Sequence, residues 1–188
     1  LISKMPGTYE EKFAGVRSFL AYMMAHPGKK LLFMGQEFGQ FIEWNYKQEL
    51  DWLLLDYDMH RKLKEFSRTL NRFYKRNPAM WEIDYSWEGF SWISSDDSAN
   101  SVIAFRRMDK KGELIAVCNF SPVTRENYRI GVPDKGTYRI VLNTDSVEFG
   151  GSGTKMQKTY TSKPIPMHSF GQSISLTLPG LSVVYLKK

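Results

Sequence analysis

The sequence predicts an α+β chain in two parts: a helix–strand–helix segment from residue 1 to 78, then an antiparallel all-β sandwich from 79 to 188. Three observations predict it. Apolar residues recur at a helical period in two long segments before Pro78. Between those segments lies one short, continuously apolar run, "LLFMG", at Leu31 to Gly35. Beyond Pro78 the period changes from 3.6 to two and stays there to the end of the chain.

The first helix is predicted over Thr8 to His26. Thr8 with Glu11 three residues later makes a capping box, Phe13, Val16, Leu20 and Met24 repeat along one face, and "HPG" stops it. Leu31 to Gly35 has the length and apolarity of a strand buried on both faces, as in a parallel sheet, which requires helices before and after it in sequence. The second helix is predicted over Tyr57 to Arg76, with Met59, Leu63, Phe66, Leu70 and Phe73 alternating four and three apart and "NP" ending it. Seven strands follow, in "GFSWISS", "SVIAFRRM", "ELIAVCNF", "ENYRIGV", "TYRIVLNT", "SISLTL" and "LSVVYLK", separated by turns such as "DDSAN", "DKKGE" and "PDKG".

Composition excludes several functions. Hydrophobic residues make up 42% and aromatic residues 14% of the 188, and no apolar run approaches the ~18 residues of a membrane span, so no membrane partner is expected. "LISKMPG" is too short and polar for a secretory signal, and Leu1 reads as a cut end. The single cysteine, Cys118, lies in a strand pattern and is expected to be a buried structural thiol, which makes the cytoplasm the expected compartment. His26, His60 and His168 show no metal-ligand spacing. "EFGGSGTK" lacks the spacing of a phosphate loop, so no cofactor is expected. The net charge of +6 concentrates between Met59 and Arg76, where seven cations face the single carboxylate Glu65. Without a base-stacking module this reads as the solvated face of a helix, and no nucleic-acid partner is expected.

The stretch "KMPGTYEEKFAGVRSFLAYMMAHPGKKLLFMGQEFGQFIEWN" resembles the end of the catalytic barrel of bacterial-type 1,4-α-glucan (glycogen) branching enzymes, members of the α-amylase superfamily. "GFSWISSDDSANSVIAFRR", "LNTDSVEFGGSG" and "LPGLSVVYLKK" extend the resemblance over essentially the whole chain. It implies that residues 1–78 are the last helix–strand–helix segment of a (β/α)8 barrel (helix seven, strand eight, helix eight) and that 79–188 are the C-terminal β-domain. It implies α-glucan, glycogen or amylose, as the partner of the parent enzyme, and transfer of an α-1,4-glucan segment to a 6-hydroxyl by a retaining double displacement. The family's nucleophilic Asp, acid/base Glu and third Asp follow barrel strands four, five and seven, so all three are expected before Leu1 and the fragment alone is expected to be inactive. The alternative is an α-glucan-binding β-sandwich module without catalysis.

The candidate substrate-binding residues are Glu37, Gln40, Glu43 and Trp44, in the loop after "LLFMG". Glu37 follows the run directly, at the rim where barrel sites are built, and is expected to support that rim by hydrogen-bonding neighbouring loops. An indole face packs on a sugar while amide and carboxylate groups bond its hydroxyls, which suits Trp44, Gln40 and Glu43 to a glucan groove; ordinary loop packing is the other reading of the same residues. Trp81, Tyr85, Trp87, Phe90 and Trp92 could form a polysaccharide platform, but an aromatic cluster at a domain junction is expected to be core. Finally, barrel helices without a barrel would expose Phe13, Leu20, Phe66 and Phe73. These are expected to pack on each other, on the β-domain or across a dimer.

Overall fold

The computed structural model describes all of residues 1–188. Helix α1 runs Tyr9–Ala25 and α2 runs Asp58–Arg76. The strands are β1 (Phe90–Asp97), β2 (Val102–Met108), β3 (Glu113–Asn119), β4 (Arg125–Val132), β5 (Thr137–Asn143), β6 (Thr159–Thr161), β7 (Gln172–Leu178) and β8 (Ser182–Lys187). All seven expected strands form. The eighth, β6, is three residues long and exists by pairing Thr159 to Thr161 with Arg139 to Thr137, too short to leave a periodic signal.

α1 begins as its sequence dictates. The Glu11 amide donates to Thr8 Oγ1 at 3.3 Å and the Thr8 amide donates back to Glu11 Oε2 at 2.7 Å, satisfying two otherwise orphaned donors. α2 is strongly two-faced: Leu63, Phe66 and Leu70 are buried while Arg61, Arg68, Arg72, Lys75 and Arg76 are exposed.

Leu31 to Gly35 departs from expectation. It is not a strand: the chain is irregular through Phe33, where the Phe33 carbonyl accepts from the Gln36 amide, and turns at Met34 and Gly35 into a 3-10 turn over Gln36–Phe38. A parallel strand owes its form to ladder bonds with neighbours, and no strand of this chain lies beside it. Leu31 is accordingly 71% exposed.

Six strands form one antiparallel sheet in the order β1-β2-β3-β8-β5-β6, and β4 pairs with β7 in a second. Ile115, Val117, Val184 and Leu186 on one face of the large sheet pack with Ile130, Val132, Ile174 and Leu176 of the small one. On the other face Leu114, Ala116, Cys118, Val183 and Tyr185 share a core with Phe13, Val16 and Leu20 of α1 and Leu63, Phe66 and Leu70 of α2. β3 and β8 are thus covered on both sides. The helix faces that carry Phe13, Leu20 and Phe66 are buried within the chain, and Phe73 lies 5.4 Å from the Tyr185 ring. Packing on each other and on the sheet accounts for them without a second copy. Cys118 is fully buried in this core, and burial pushes its thiol pKa well up.

Arg107 joins the parts. Wholly buried, it donates from Nη1 to the Ala25 carbonyl at 2.7 Å, from Nε to the Gly89 carbonyl at 3.1 Å and from Nη2 to Asp84 at 2.9 Å. Asp84 also accepts from the Gly28 amide. At the junction only part of the aromatic cluster is core. Phe90 is half-buried against Phe105 and His26, whereas Trp81 is 42%, Tyr85 78%, Trp87 83% and Trp92 42% exposed, Trp92 although it touches the Phe90 and Phe105 rings. The core expectation is corrected for Trp81, Tyr85, Trp87 and Trp92: Trp87 opens a 3-10 turn in which Gly89 leaves no room for a Cβ beside the Ile83 carbonyl, and Trp92 lies on the edge strand of the large sheet.

Candidate functional site: the loop before α2

The loop from Leu31 to Asp51 is held from behind by α2. His60 Nδ1 lies 2.7 Å from the Phe38 carbonyl, and Ser67 Oγ donates to the Glu37 carbonyl at 2.9 Å. These two contacts fix the backbone of the 3-10 turn. Gly35 and Gly39 flank it at φ 80° and 76°; a Cβ on Gly35 would stand 2.9 Å from Gln40 Cβ and Oε1, so the chain passes there only as glycine. Phe38 is buried inside the turn and stacks 5.3 Å from Trp52.

Within that frame the four candidates separate. Gln40 is buried, its Nε2 donating to the Ile42 carbonyl at 2.8 Å and its Oε1 accepting from the Asp51 amide at 2.9 Å. Both halves of the amide are used to close the loop, which makes Gln40 a staple of the loop. Glu43 meets Lys4 Nζ at 3.3 Å, and its side chain is only 25% exposed. It anchors the loop to the residues before α1 while keeping one edge in solvent. Glu37 is half-buried; its backbone carbonyl is bonded by Ser67, and its carboxylate has no partner in the chain. The bonds to neighbouring loops expected of that carboxylate are not made here.

Trp44 turns an aromatic face to solvent. It is 72% exposed, tilts against Phe33 at 4.7 Å between centroids, and holds φ at 62°. Met34, at φ 41°, is the second non-glycine residue of this loop in the left-handed region. Bulky residues held there concentrate where a backbone is shaped for function. Sequence reasoning missed four further exposed aromatics nearby: Phe33, which contacts Trp44, and Phe41, Tyr46 and Trp52 are 36%, 42%, 83% and 47% exposed. Their number in one loop was the available signal, since four more aromatics within 20 residues exceed what loop packing needs.

The family model described as "Alpha amylase, C-terminal all-beta domain" matches residues 92–188, more than half of the chain. The chain belongs to this family. The match starts within β1 and ends at the last residue of the chain, taking in both sheets. Over its whole length the chain is 53% identical to the 1,4-alpha-glucan branching enzyme GlgB of Halothermothrix orenii and 51% identical to that of Aquifex aeolicus. It spans 30% of the length of each of these relatives. The crystal structure of alpha-amylase from H. orenii superposes with a TM-score of 0.58 at 17% identity, over 96% of this chain and 36% of that one, a likeness of fold alone. These relatives agree with two helices leading into an antiparallel all-β domain, and no helix is long and apolar enough to cross a membrane.

Proposed function

We propose that the chain is part of a 1,4-α-glucan branching enzyme, in which residues 1–78 complete the catalytic barrel and 79–188 form the C-terminal β-domain. The observation that carries this reading is the identity of 53% over the full chain to a branching enzyme, with the loop that bears Trp44 inside the matched region. α-Glucan is the substrate and Trp44, Phe33 and the free Glu37 carboxylate form one wall of its groove. The reaction is a retaining double displacement, which needs two carboxyl groups ~5 Å apart and an acceptor 6-hydroxyl in place of water. The chain's own loop carboxylates do not make that pair: Glu43 is engaged by Lys4 at 3.3 Å. The catalytic carboxylates are supplied by the part of the enzyme outside these residues.

Amylose incubated with the isolated chain is expected to keep its iodine stain, and with the protein spanning the relatives' full length to lose it and yield new side chains to a debranching enzyme. Branching by the isolated chain, or none by the long protein, would refute the reading. In the long protein Trp44→Ala is expected to lower kcat/KM for amylose about three- to tenfold, the worth of one stacking contact, with an unchanged unfolding midpoint.

A further inference from the structure

A polar cleft of about 620 Å3 opens between the edge of the large sheet and the small sheet. β1 and β4 both lose regular pairing where they line it. On β1, Trp92 and Ser94 face the consecutive residues Phe105 and Ala104, and Ser94 and Asp97 face Ala104 and Val102, so the strand carries extra residues on either side of Ser94. On β4, Arg125 and Tyr128 face Leu178 and Leu176, with Asn127 at φ 53° in the bulge. Bulges re-aim side chains, and these aim from two sheets into one space.

Most polar groups there are already engaged. Asp97 accepts from the Asn100 backbone and side chain and from the Tyr128 hydroxyl at 2.5 Å; Arg129 donates to Ser173; His168 Nδ1 accepts from the Gly131 amide. Two groups are not. Ser94 is only 4% exposed, lines the cleft, and its Oγ has no hydrogen-bond partner; Arg125 Nε is likewise buried and unpartnered. A buried hydroxyl and a buried guanidinium N–H left without partners are costly in a native fold, and a ligand that bonds both removes that cost.

Charge narrows the ligand. Asp96, Asp97 and Glu126 line the cleft with Arg125 and Arg129. The three carboxylates repel an anion and the two guanidiniums repel a metal cation. A neutral ligand with alternating donors and acceptors matches, and vicinal hydroxyls on a pyranose supply that alternation, with the Tyr128 ring and Met167 beside its C–H face. We propose that the Ser94–Arg125 cleft binds a glucosyl segment of α-glucan, a second holding point on the β-domain. The choice of glucan among polyols rests on the branching-enzyme reading above.

The test is an amide NMR titration of the 188-residue chain with maltotriose, cellotriose, calcium chloride and sodium phosphate as separate probes. Maltotriose is expected to shift amides in 94–100, 125–129 and 167–168, and the salts to leave them in place. Ser94→Val and Arg125→Gln are each expected to weaken the maltotriose response about three- to tenfold, the loss of one hydrogen bond, with the remaining spectrum unchanged. If Ser94→Val misfolds, Arg125→Gln decides, because its side chain is only half-buried. No shift in these segments, a response in both variants equal to that of wild type, or a response to calcium or phosphate instead overturns the proposal. Cellotriose acting as strongly as maltotriose overturns the assignment to α-glucan. A long protein that branches amylose while this cleft stays silent removes the cleft proposal and leaves the branching reading standing.

Discussion

Gln40 closes its loop with both ends of one amide, and the consequence is measurable. Gln40→Ala strands the Ile42 carbonyl and the Asp51 amide at once, at a cost of about 1–3 kcal/mol, whereas Gln40→Glu still accepts from Asp51 and loses only the donor. Limited proteolysis is expected to cut residues 41–50 readily in the alanine variant and less so in the glutamate variant; equal resistance to wild type in both would show that the staple is idle. An amide offers the same donors and acceptor to a sugar and to its own backbone, so the residue sequence could not tell these roles apart. Lys30 gives a second residue-scale prediction. Burial foremost, then Arg107 and Lys29, hold its pKa down to about 8, with Asp84 opposing. A lysine with a lowered folded pKa binds fewer protons folded than unfolded between about pH 8 and its ordinary value, so stability rises with pH through that window. Urea titrations at pH 7 and pH 9.5 are expected to show a larger gain for wild type than for Lys30→Gln. An identical gain in the two would remove Lys30 as the cause.

Among the elements, those specified by local chemistry were readable and those specified by partners were not. Thr8, Glu11 and "HPG" define α1 wherever it is placed, and the period of two defines seven strands. Leu31 to Gly35 carries the composition of a buried strand, yet a strand needs neighbours, and the composition records the environment it suits, not the one present. β6 failed for the opposite reason: it is made by β5, not by its own three residues. Arg107 shows how one element holds another. It donates to the C-terminal carbonyl of α1 at Ala25, where a helix dipole favours a cation, and pairs with Asp84. Arg107→Met leaves that carboxylate buried without its partner and is expected to cost about 3–5 kcal/mol. The double variant with Asp84→Asn is expected to recover part of the loss, read from urea midpoints; no recovery would mean that the arginine acts through packing alone.

At the scale of the whole molecule, the helices and the sheet lean on one another. Leu20 of α1 and Leu63 of α2 share a core with Val183 and Tyr185 of β8, and the Tyr185 hydroxyl donates to the Ala21 carbonyl at 2.5 Å. The opposite face of β8, through Val184 and Leu186, packs toward the small sheet. A strand buried on both faces transmits loss on one side to the other, so helices and sandwich should unfold together. Leu20→Ala removes a fully buried side chain and is expected to cost about 2–5 kcal/mol. The far-UV signal of the helices and hydrogen exchange of the β7 and β8 amides should report the same midpoint in wild type and shift together in the variant. A helix transition that moves alone, with β8 protection unchanged, would show that residues 1–78 sit on the sandwich as a separable layer; the shared core around Tyr185 argues that they do not.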